Sequence, residues 1–342
     1  MKISVMGGGS WGTALARLLA QKGEAVSLWA YEEAVVTAIA LNHENTPYLT
    51  GVALPKNLTA SCDLQKVLEG ARVVLFAVPS QHARPILSQM APFIKKDIPI
   101  VSATKGIEIK TLLPLSEVIR EGLNRAYDDN IAVLSGPSFA SEVCLDHPTA
   151  VTLASKNHRL ALRLQHIFST PFFKLLITSD TIGVQLGGAL KNVIAIAAGI
   201  SDGLGFGFNT KAILMTRGLS EITSLGIAMG ADINTFYGLS GLGDLSLTCS
   251  GALSRNRKVG EMLGRGMSLD MVLNNMDRVA EGVETTKSAM ALSKKYKVPM
   301  PIVQEVHQVL FQGKPPKQAV TDLMAQAYGK EEIVHLLNSI SE

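Results

Sequence analysis

The chain has 342 residues, enough for two domains that each bury a hydrophobic core, and 47% of its residues are hydrophobic. A formal net charge of +3, without a long block of like charges, argues against a nucleic-acid-binding protein. Three widely separated cysteines and seven histidines without ligand spacing argue against a disulfide framework and a metal site. The first residues already form a predicted strand and leave no room for a signal peptide, so we expect a cytoplasmic protein.

The start of the chain predicts a strand, a glycine turn and a helix. Residues 1–6 are a short apolar run, and residues 13–20 have helical periodicity. Between them, Gly7 is expected to let the chain reverse, Gly9 to let the backbone approach a pyrophosphate, and Gly12 to let the helix lie close to the strand. The N–H groups at the positive end of the helix then face an anion. This order predicts a dinucleotide site, and the alternative is a tight turn without a ligand.

The second strand pattern, residues 25–30, is followed by a tyrosine and two acidic residues. In dinucleotide-binding domains, an acidic residue about 20 positions beyond the glycines often binds the adenosine ribose. We expect Tyr31 to stack on or flank the adenosine, and Glu32 to accept a ribose hydroxyl. No arginine is in position for a 2′-phosphate, and the sequence leaves the choice between NAD(H) and NADP(H) open.

Buried-strand patterns continue through the first half of the chain, with helical patterns between them. The predicted strands are 72–78, 98–102, 131–134, 149–154 and 172–177, the predicted helices are 63–69, 82–90 and 157–168, and the polar residues 42–60 are expected to form a loop. Ligands of a parallel sheet lie outside the carboxyl ends of the strands, where we expect Lys105, Gly136 and Ser138. An ordinary surface lysine and a plain glycine-proline turn are the alternatives.

After the last predicted strand, long helical patterns take over. We therefore predict an α/β N-terminal Rossmann-like domain with a mostly parallel sheet at residues 1–179 and an all-α C-terminal domain at residues 180–342. Helices are predicted at 181–200 and 210–229, with a glycine-rich loop at 202–209. The first of these helices is very apolar but contains a lysine and amide residues, which favours a buried helix over a membrane span.

Within that apolar helix, Lys191 is a candidate for proton transfer. Gly187, Gly188 and Ala195 are its neighbours on the helix surface, so small side chains are expected to leave room for another molecule. Burial lowers the basicity of a lysine and suits it to proton transfer, with Asn192 beside it to orient a partner. The alternative is a lysine whose charged end reaches solvent at the edge of the helix.

Several cations open another predicted helix at residue 254. Ser254 suits an N-cap, but Arg255, Arg257 and Lys258 in the first turn oppose the helix dipole. Helix N–H groups, a serine hydroxyl and a guanidinium group all match a phosphate, whereas solvated surface cations are the alternative. Just before this helix, Asp244 is expected to pair with a lysine or bind a substrate hydroxyl, unless it only caps a helix.

Six motifs together resemble the bacterial NAD(P)-dependent glycerol-3-phosphate dehydrogenases. They are Gly-Gly-Gly-Ser-Trp-Gly-Thr-Ala-Leu-Ala at 7–16, Ala-Thr-Lys-Gly at 103–106, Ser-Gly-Pro-Ser-Phe-Ala at 135–140, Gly-Val-Gln-Leu-Gly-Gly-Ala-Leu-Lys-Asn at 183–192, Gly-Leu-Gly-Asp-Leu at 241–245 and Ser-Arg-Asn-Arg at 254–257. The resemblance implies reversible hydride transfer between NAD(P)H and the C2 carbonyl of dihydroxyacetone phosphate. The product, sn-glycerol 3-phosphate, would supply phospholipid synthesis.

The resemblance also implies roles for single residues. The proton-transfer lysine of the family corresponds to Lys191. The substrate positions correspond to Lys105, Gly136, Ser138, Asp244, Ser254, Arg255 and Asn256. The cofactor positions correspond to Ser10, Trp11, Tyr31, Lys105, Ala140, Arg255, Val279 and Glu281. Where this chain has Tyr31 the family often has a basic residue, a departure that bears on NADP binding and not on the reaction.

Two other functions stay open at this point. One is a related two-domain dehydrogenase for a sugar acid or a ketoacid, although a substrate without phosphate leaves the cationic helix start unexplained. The other is a non-catalytic NAD(P)H sensor that binds a partner protein, which needs no lysine among small residues. The sequence does not disclose the oligomeric state, a homodimer being one alternative, and it predicts no nucleic-acid partner.

Overall fold

The computed structural model describes residues 1–123, 130–276 and 279–325. Their contacts group the chain into two compact units. The first unit consists of Met1–Lys105 and Leu113–Gln185, and the second consists of Gly106–Leu112 and the described residues from Leu186 onward. The domain boundary that the sequence places after residue 179 stays a prediction.

A sheet of eight strands, counted over the described residues, forms the centre of the first unit. The strands are β1 (Lys2–Met6), β2 (Ala25–Trp29), β3 (Leu58–Ser61), β4 (Val73–Phe76), β5 (Ile100–Ser102), β6 (Ile131–Ser135), β7 (Thr149–Ala154) and β8 (Phe173–Thr178). Their order is β3-β2-β1-β4-β5-β6-β7-β8, and every neighbouring pair is parallel except β6 with β7. The predicted mostly parallel sheet is confirmed. Since β2 and β4 lie on opposite sides of β1, the carboxyl end of β1 is a switch point, where open α/β sheets bind ligands.

Helices cover both faces of this sheet. They are α1 (Ser10–Gln21), α2 (Glu33–Asn42), α3 (Leu64–Leu68), α4 (Ala83–Met90), α5 (Leu115–Gly122), α6 (Ala140–Cys144) and α7 (His158–Phe168). Alternate residues of β4 belong to two separate cores: Val73 and Leu75 pack with α1 and α7, while Val74 and Phe76 pack with α3, α4 and α5. A strand buried on both faces is a continuous apolar run, which is why the pattern at residues 72–78 could be recognised.

The expected loop at residues 42–60 is wrong in part. Its end contributes to β3, and Glu44 and Ala53 form an isolated antiparallel bridge within it. Helices α2, α5 and α6 were not predicted either. The apolar residues of α2 are spread over all faces of the helix instead of forming one stripe, and α6 has only five residues. Neither segment therefore shows a clear helical period in the sequence.

The described residues of the second half of the chain are mainly helical, as predicted. Its helices are α8 (Thr181–Gly203), α9 (Phe208–Ala228), α10 (Ile233–Tyr237), α11 (Asp244–Ser250), α12 (Arg255–Gly264), α13 (Leu269–Asn274), α14 (Glu281–Tyr296), α15 (Pro301–Phe311) and α16 (Pro316–Ala325). Because α8 extends to Gly203, the glycine-rich loop is shorter than the predicted 202–209. Of the described helices, α8 alone is long and apolar enough to cross a membrane, but 94% of its most apolar 18-residue window is buried within the structure, as in a core helix.

Glycines bring the backbones of α8 and α12 into contact. A Cβ atom at Gly260 of α12 would lie 2.0 Å from the Ile196 carbonyl oxygen, and one at Gly199 of α8 would lie 1.9 Å from the Arg257 carbonyl oxygen. Gly203 and Gly264, one turn further along the two helices, also approach each other closely. The position of α12, which carries the cationic helix start, therefore depends on residues without side chains.

The Gly260→Ala variant is expected to lose about 1–3 kcal/mol of unfolding free energy, because the added methyl group forces two helix backbones apart. Urea denaturation followed by circular dichroism measures this loss. The matched control is Gly207→Ala, since no atom of the described chain lies within 4 Å of a Cβ at Gly207. Equal stability of the two variants would contradict the close-packing argument.

Candidate functional site

The three glycines of the first turn have different surroundings. Gly7 has a φ of +119°, and a Cβ there would lie 2.6 Å from the Ala77 carbonyl oxygen. A Cβ at Gly12 would lie 2.0 Å from the Gly7 carbonyl oxygen, whereas no atom of the described residues lies within 4 Å of a Cβ at Gly9. The geometry agrees with the tight turn and close packing expected of Gly7 and Gly12, and ligand binding at Gly9 stays a prediction.

The first turn of α1 has features that suit an anion. Gly9 is its N-cap, and within the described part of the chain no side chain caps the helix and no acidic residue occupies its first turn. The buried Nε1 of Trp11 has no hydrogen-bond partner among the described residues. Trp11 and Ala140, two predicted cofactor residues, pack against the same small apolar cluster of Ala14, Leu49 and Cys144. These residues fit a dinucleotide whose pyrophosphate faces the start of α1.

A buried asparagine that the sequence analysis missed holds the glycine turn in place. Asn45 is fully buried, and its Nδ2 donates to the Gly8 carbonyl oxygen and to Thr13 Oγ1, each at 2.7 Å. Thr13 Oγ1 also donates to the Gly8 oxygen at 3.2 Å. In the sequence, Asn45 lies in a polar stretch and has the composition of any loop residue, so only its long-range contacts identify it.

The segment that follows β2 is strongly exposed and acidic. Tyr31 is 80% exposed, and Glu32 is the N-cap residue of α2. The Glu32 carboxylate accepts a hydrogen bond from the hydroxyl of Tyr48 at 2.8 Å. Tyr48 is a second residue that the sequence analysis missed. Burial raises the pKa of the nearby Cys62 thiol, and the carboxylates of Glu33 and Glu32 raise it further.

Three predicted substrate residues meet in the first unit. Lys105 Nζ donates to the Gly136 carbonyl oxygen at 2.9 Å, and Ser138 Oγ donates to the same oxygen at 3.0 Å. Gly136 has a φ of +146°, and a Cβ there would lie 2.9 Å from Val151 Cα, so both conformation and space favour glycine. The shared carbonyl fixes the lysine and the serine relative to each other.

The Lys191 side chain is buried in an ion pair. Lys191 is 6% exposed, and its Nζ contacts the carboxylate of Asp244, which is 1% exposed. Nζ also donates to Thr248 Oγ1 at 2.6 Å, and Thr248 Oγ1 donates to the Asp244 carbonyl oxygen at 2.6 Å. The reading of Lys191 as a lysine reaching solvent is wrong, and Asp244 does pair with a lysine. Thr248, one turn after Asp244 on α11, was missed.

The small residues beside Lys191 do not all leave room for a ligand. A Cβ at Gly187 would lie 2.4 Å from the Ser240 carbonyl oxygen, in the segment that leads into α11. The expectation of free space at Gly187 is therefore wrong, because the chain's own backbone occupies it. Gly187 instead permits α11 to approach α8 closely enough for Asp244 to reach Lys191.

An amide chain links three helices of the second unit. Asn256 Nδ2 donates to Asn192 Oδ1 at 2.9 Å, and Asn256 Oδ1 accepts from the Gly282 backbone N–H at 2.9 Å. These contacts join α8, α12 and the start of α14. Since Lys191 precedes Asn192 and Arg255 precedes Asn256, the two predicted key cations lie on helices that are bonded to each other.

The start of α12 differs from its prediction in one respect. Ser254 Oγ accepts from the Arg257 backbone N–H at 3.2 Å, which confirms the predicted N-cap. However, Arg257 Nε donates to Asp202 at 2.6 Å, and Lys211 also pairs with Asp202 at 2.9 Å. Arg257 is thus part of an internal ion-pair network, and counting it among the cations that await a phosphate is wrong.

Arg255 is exposed and contacts another predicted cofactor position. One of its Nη atoms, Nη1, donates to the Val279 carbonyl oxygen at 2.7 Å. Glu281, two residues further on, is the first residue of α14. The predicted cofactor residues Arg255, Val279 and Glu281 are therefore close in the second unit. No group of three or more His, Cys, Asp or Glu side chains in the described ranges could hold a metal ion.

Comparison with known proteins identifies the family. The family model described as NAD-dependent glycerol-3-phosphate dehydrogenase N-terminus matches residues 2–161, and the corresponding C-terminus model matches residues 180–321. Glycerol-3-phosphate dehydrogenase (NAD(P)+) from Geobacter sp. (strain M21) is 52% identical over 325 residues, covering 95% of this chain and 97% of the relative. The enzyme of the same name from Syntrophotalea carbinolica is 50% identical over 331 residues, covering 97% and 99%.

The fold agrees with a solved member of the same family. The crystal structure of glycerol-3-phosphate dehydrogenase from Coxiella burnetii matches with a TM-score of 0.91 at 39% identity, covering 95% of this chain and 99% of that one. Both family models and the curated relatives span nearly the whole chain, including the glycine turn and the helix that carries Lys191. The chain therefore belongs to the NAD-dependent glycerol-3-phosphate dehydrogenase family and is an NAD(P)-dependent enzyme of that family.

Proposed function

We propose that this enzyme reversibly reduces dihydroxyacetone phosphate to sn-glycerol 3-phosphate, with Lys191 as the general acid and base. The observation that carries the proposal is the buried Lys191 ammonium, held by Asp244 and Thr248. The names of the relatives support the substrate. Because the chain belongs to a family of NAD(P)-dependent enzymes, the alternative of a non-catalytic NAD(P)H sensor is wrong. A role in phospholipid synthesis, a cytoplasmic location and a homodimeric state stay expectations from the sequence.

The first unit is proposed to hold the dinucleotide. The open space at Gly9 and the uncapped start of α1 suit a pyrophosphate, and Ser10, Trp11 and Ala140 lie on the same turn or in the cluster beside it. When bound, NAD(P)H supplies the hydride, and NAD(P)+ accepts one in the reverse direction. The task of the chain is to hold the reactants and to move the accompanying proton.

Lys191 is proposed to carry that proton. As the C2 carbonyl of the substrate is reduced, its oxygen gains negative charge, and Lys191 Nζ donates a proton to it. In oxidation, the neutral amine takes the proton of the C2 hydroxyl. Asp244 stabilises the ammonium form and, with Thr248, keeps Nζ in one position. Burial raises the pKa of the nearby Cys249 thiol to about 12, although the charge of Lys191 lowers it, so this thiol stays protonated and does not compete as a base.

The phosphate of the substrate is proposed to bind at the start of α12. Arg255 presents an exposed guanidinium group there, next to Ser254 and Asn256. Asn256 is held at both ends of its amide, which fixes the first turn of α12 relative to Lys191's helix. Binding energy from the remote phosphate would then keep C2 in place for proton transfer. Lys105, Gly136 and Ser138 are proposed as further substrate contacts.

The Lys191→Ala variant is expected to lower kcat about 10²–10⁴-fold, because general acid catalysis is removed. Its dissociation constant for NAD(P)H is expected to stay close to that of the wild type. Steady-state NAD(P)H absorbance with dihydroxyacetone phosphate measures the first quantity, and a fluorescence titration measures the second. The matched control is Lys211→Ala, which also removes an ion-paired lysine of the second unit. A wild-type kcat in Lys191→Ala would refute the assignment.

The Arg255→Ala variant is expected to raise KM for dihydroxyacetone phosphate about 10–100-fold, because a charge-assisted contact to phosphate is lost. KM is measured by varying the substrate at saturating NAD(P)H, and unphosphorylated dihydroxyacetone is assayed beside it. The second substrate should be affected far less, since it has no phosphate. Lys258→Ala removes an exposed cation from the same helical turn and serves as the control. An unchanged KM in Arg255→Ala, or an equal effect in Lys258→Ala, would contradict the proposal.

A further inference from the structure

Tyr48 is attached to the glycine turn through its backbone. Its carbonyl oxygen accepts from Ser10 Oγ at 2.8 Å, and its backbone N–H donates to Asn45 Oδ1 at 3.2 Å. Asn45 is in turn bonded to the Gly8 oxygen and to Thr13. Both polar groups of the Tyr48 backbone are therefore fixed relative to the turn at which the pyrophosphate is proposed to bind.

The side chain of Tyr48 positions Glu32. Its hydroxyl donates to the Glu32 carboxylate at 2.8 Å, so this carboxylate is bonded to a residue whose backbone is itself bonded to the glycine turn. An ionised carboxylate has about four acceptor sites, and the phenol uses one of them. The carboxylate can thus be fixed in position by Tyr48 and still accept hydrogen bonds from a ligand.

The charged residues next to Glu32 in the chain have one sign. Glu33 follows it directly, and none of residues 31–42 is a lysine or an arginine. The field of both carboxylates extends to the end of β3, since each of them raises the pKa of Cys62 after the larger effect of burial. A phosphate placed at this edge would meet two negative charges, whereas a hydroxyl group would meet a fixed acceptor.

We propose that Glu32, held by Tyr48, makes this enzyme selective for NAD(H) over NADP(H). The carboxylate accepts a hydrogen bond from the 2′-hydroxyl of the adenosine ribose and repels the 2′-phosphate of NADP(H). The inference depends on the placement of the dinucleotide in the proposed function. It does not depend on the roles of Lys191 or Arg255.

Direct binding tests the proposal without the reaction. Dissociation constants of the full-length protein for NADH and for NADPH are measured by isothermal titration calorimetry in the absence of dihydroxyacetone phosphate. We expect the wild type to bind NADH at least about tenfold more tightly than NADPH. This ratio corresponds to the free energy of one well-placed charge interaction. In Glu32→Gln, this ratio should fall to within about threefold of unity, mainly because NADPH binds more tightly.

Tyr48→Phe separates positioning from charge. It removes one hydroxyl group and leaves the backbone contacts to Ser10 and Asn45, so its melting temperature should stay near that of the wild type. Its NADH affinity should fall and the NADH-to-NADPH ratio should decrease, because Glu32 is no longer fixed. Adding Tyr48→Phe to Glu32→Gln should change the ratio little further, since the two residues act as a unit.

Glu33→Gln is the matched control, because it removes the same charge from the next residue. It should change the ratio clearly less than Glu32→Gln does. Equal effects of the two substitutions, or a wild type that binds NADPH as tightly as NADH, would overturn the proposal. Wild-type protein that binds both dinucleotides equally and reduces dihydroxyacetone phosphate would refute the selectivity alone. Wild-type protein that binds neither would refute the proposed function as well.

Discussion

A buried ammonium group is stable only beside a carboxylate and hydrogen-bond acceptors, and the helical unit meets this requirement at Lys191. Moving a charged group from water into the protein interior costs several kcal/mol of free energy, and only well-placed partners of opposite charge and hydrogen-bond acceptors compensate this cost. Asp244 and Thr248, one turn apart on α11, provide that geometry. To bring them close enough, the backbone at Ser240 lies directly against Gly187 of α8. Gly187 therefore makes room for the segment that carries Asp244, and not for a ligand.

The same helix α8 also determines where the second cation lies. Glycine pairs let α12 lie backbone to backbone against it, and the Asn192–Asn256 hydrogen bond sets the register between the two helices. Arg255 is thereby held by the helix that carries Lys191, one cation suited to a carbonyl oxygen and the other to a phosphate. Arg257, two positions further, is already paired with Asp202, so the two arginines on this helix turn have different partners.

In the first unit, the glycine turn is held by residues outside it. Glycines have no side chains with which to fix their own conformation, so Asn45 and Thr13 bind the Gly8 carbonyl oxygen from outside. The segment that supplies Asn45 also supplies Tyr48, which reaches Glu32 at the end of β2. One short segment therefore connects the proposed pyrophosphate end of the site with its proposed ribose end.

Features that depend on residues close together in the chain could be predicted from the amino-acid sequence. The central strand β4 is a continuous apolar run, the glycine turn is six residues long, and Ser254 caps α12 through the N–H group three residues further on. The partners of distant residues are visible only in the folded chain, because no period in the sequence relates Lys191 to Asp244, Asp202 to Arg257, or Glu32 to Tyr48. The folded chain also shows that Gly187 packs against a neighbouring backbone, since a glycine that leaves room for a ligand and one that leaves room for a backbone look the same in sequence. Their physical difference is which atoms fill the space, and distant parts of the chain supply those atoms.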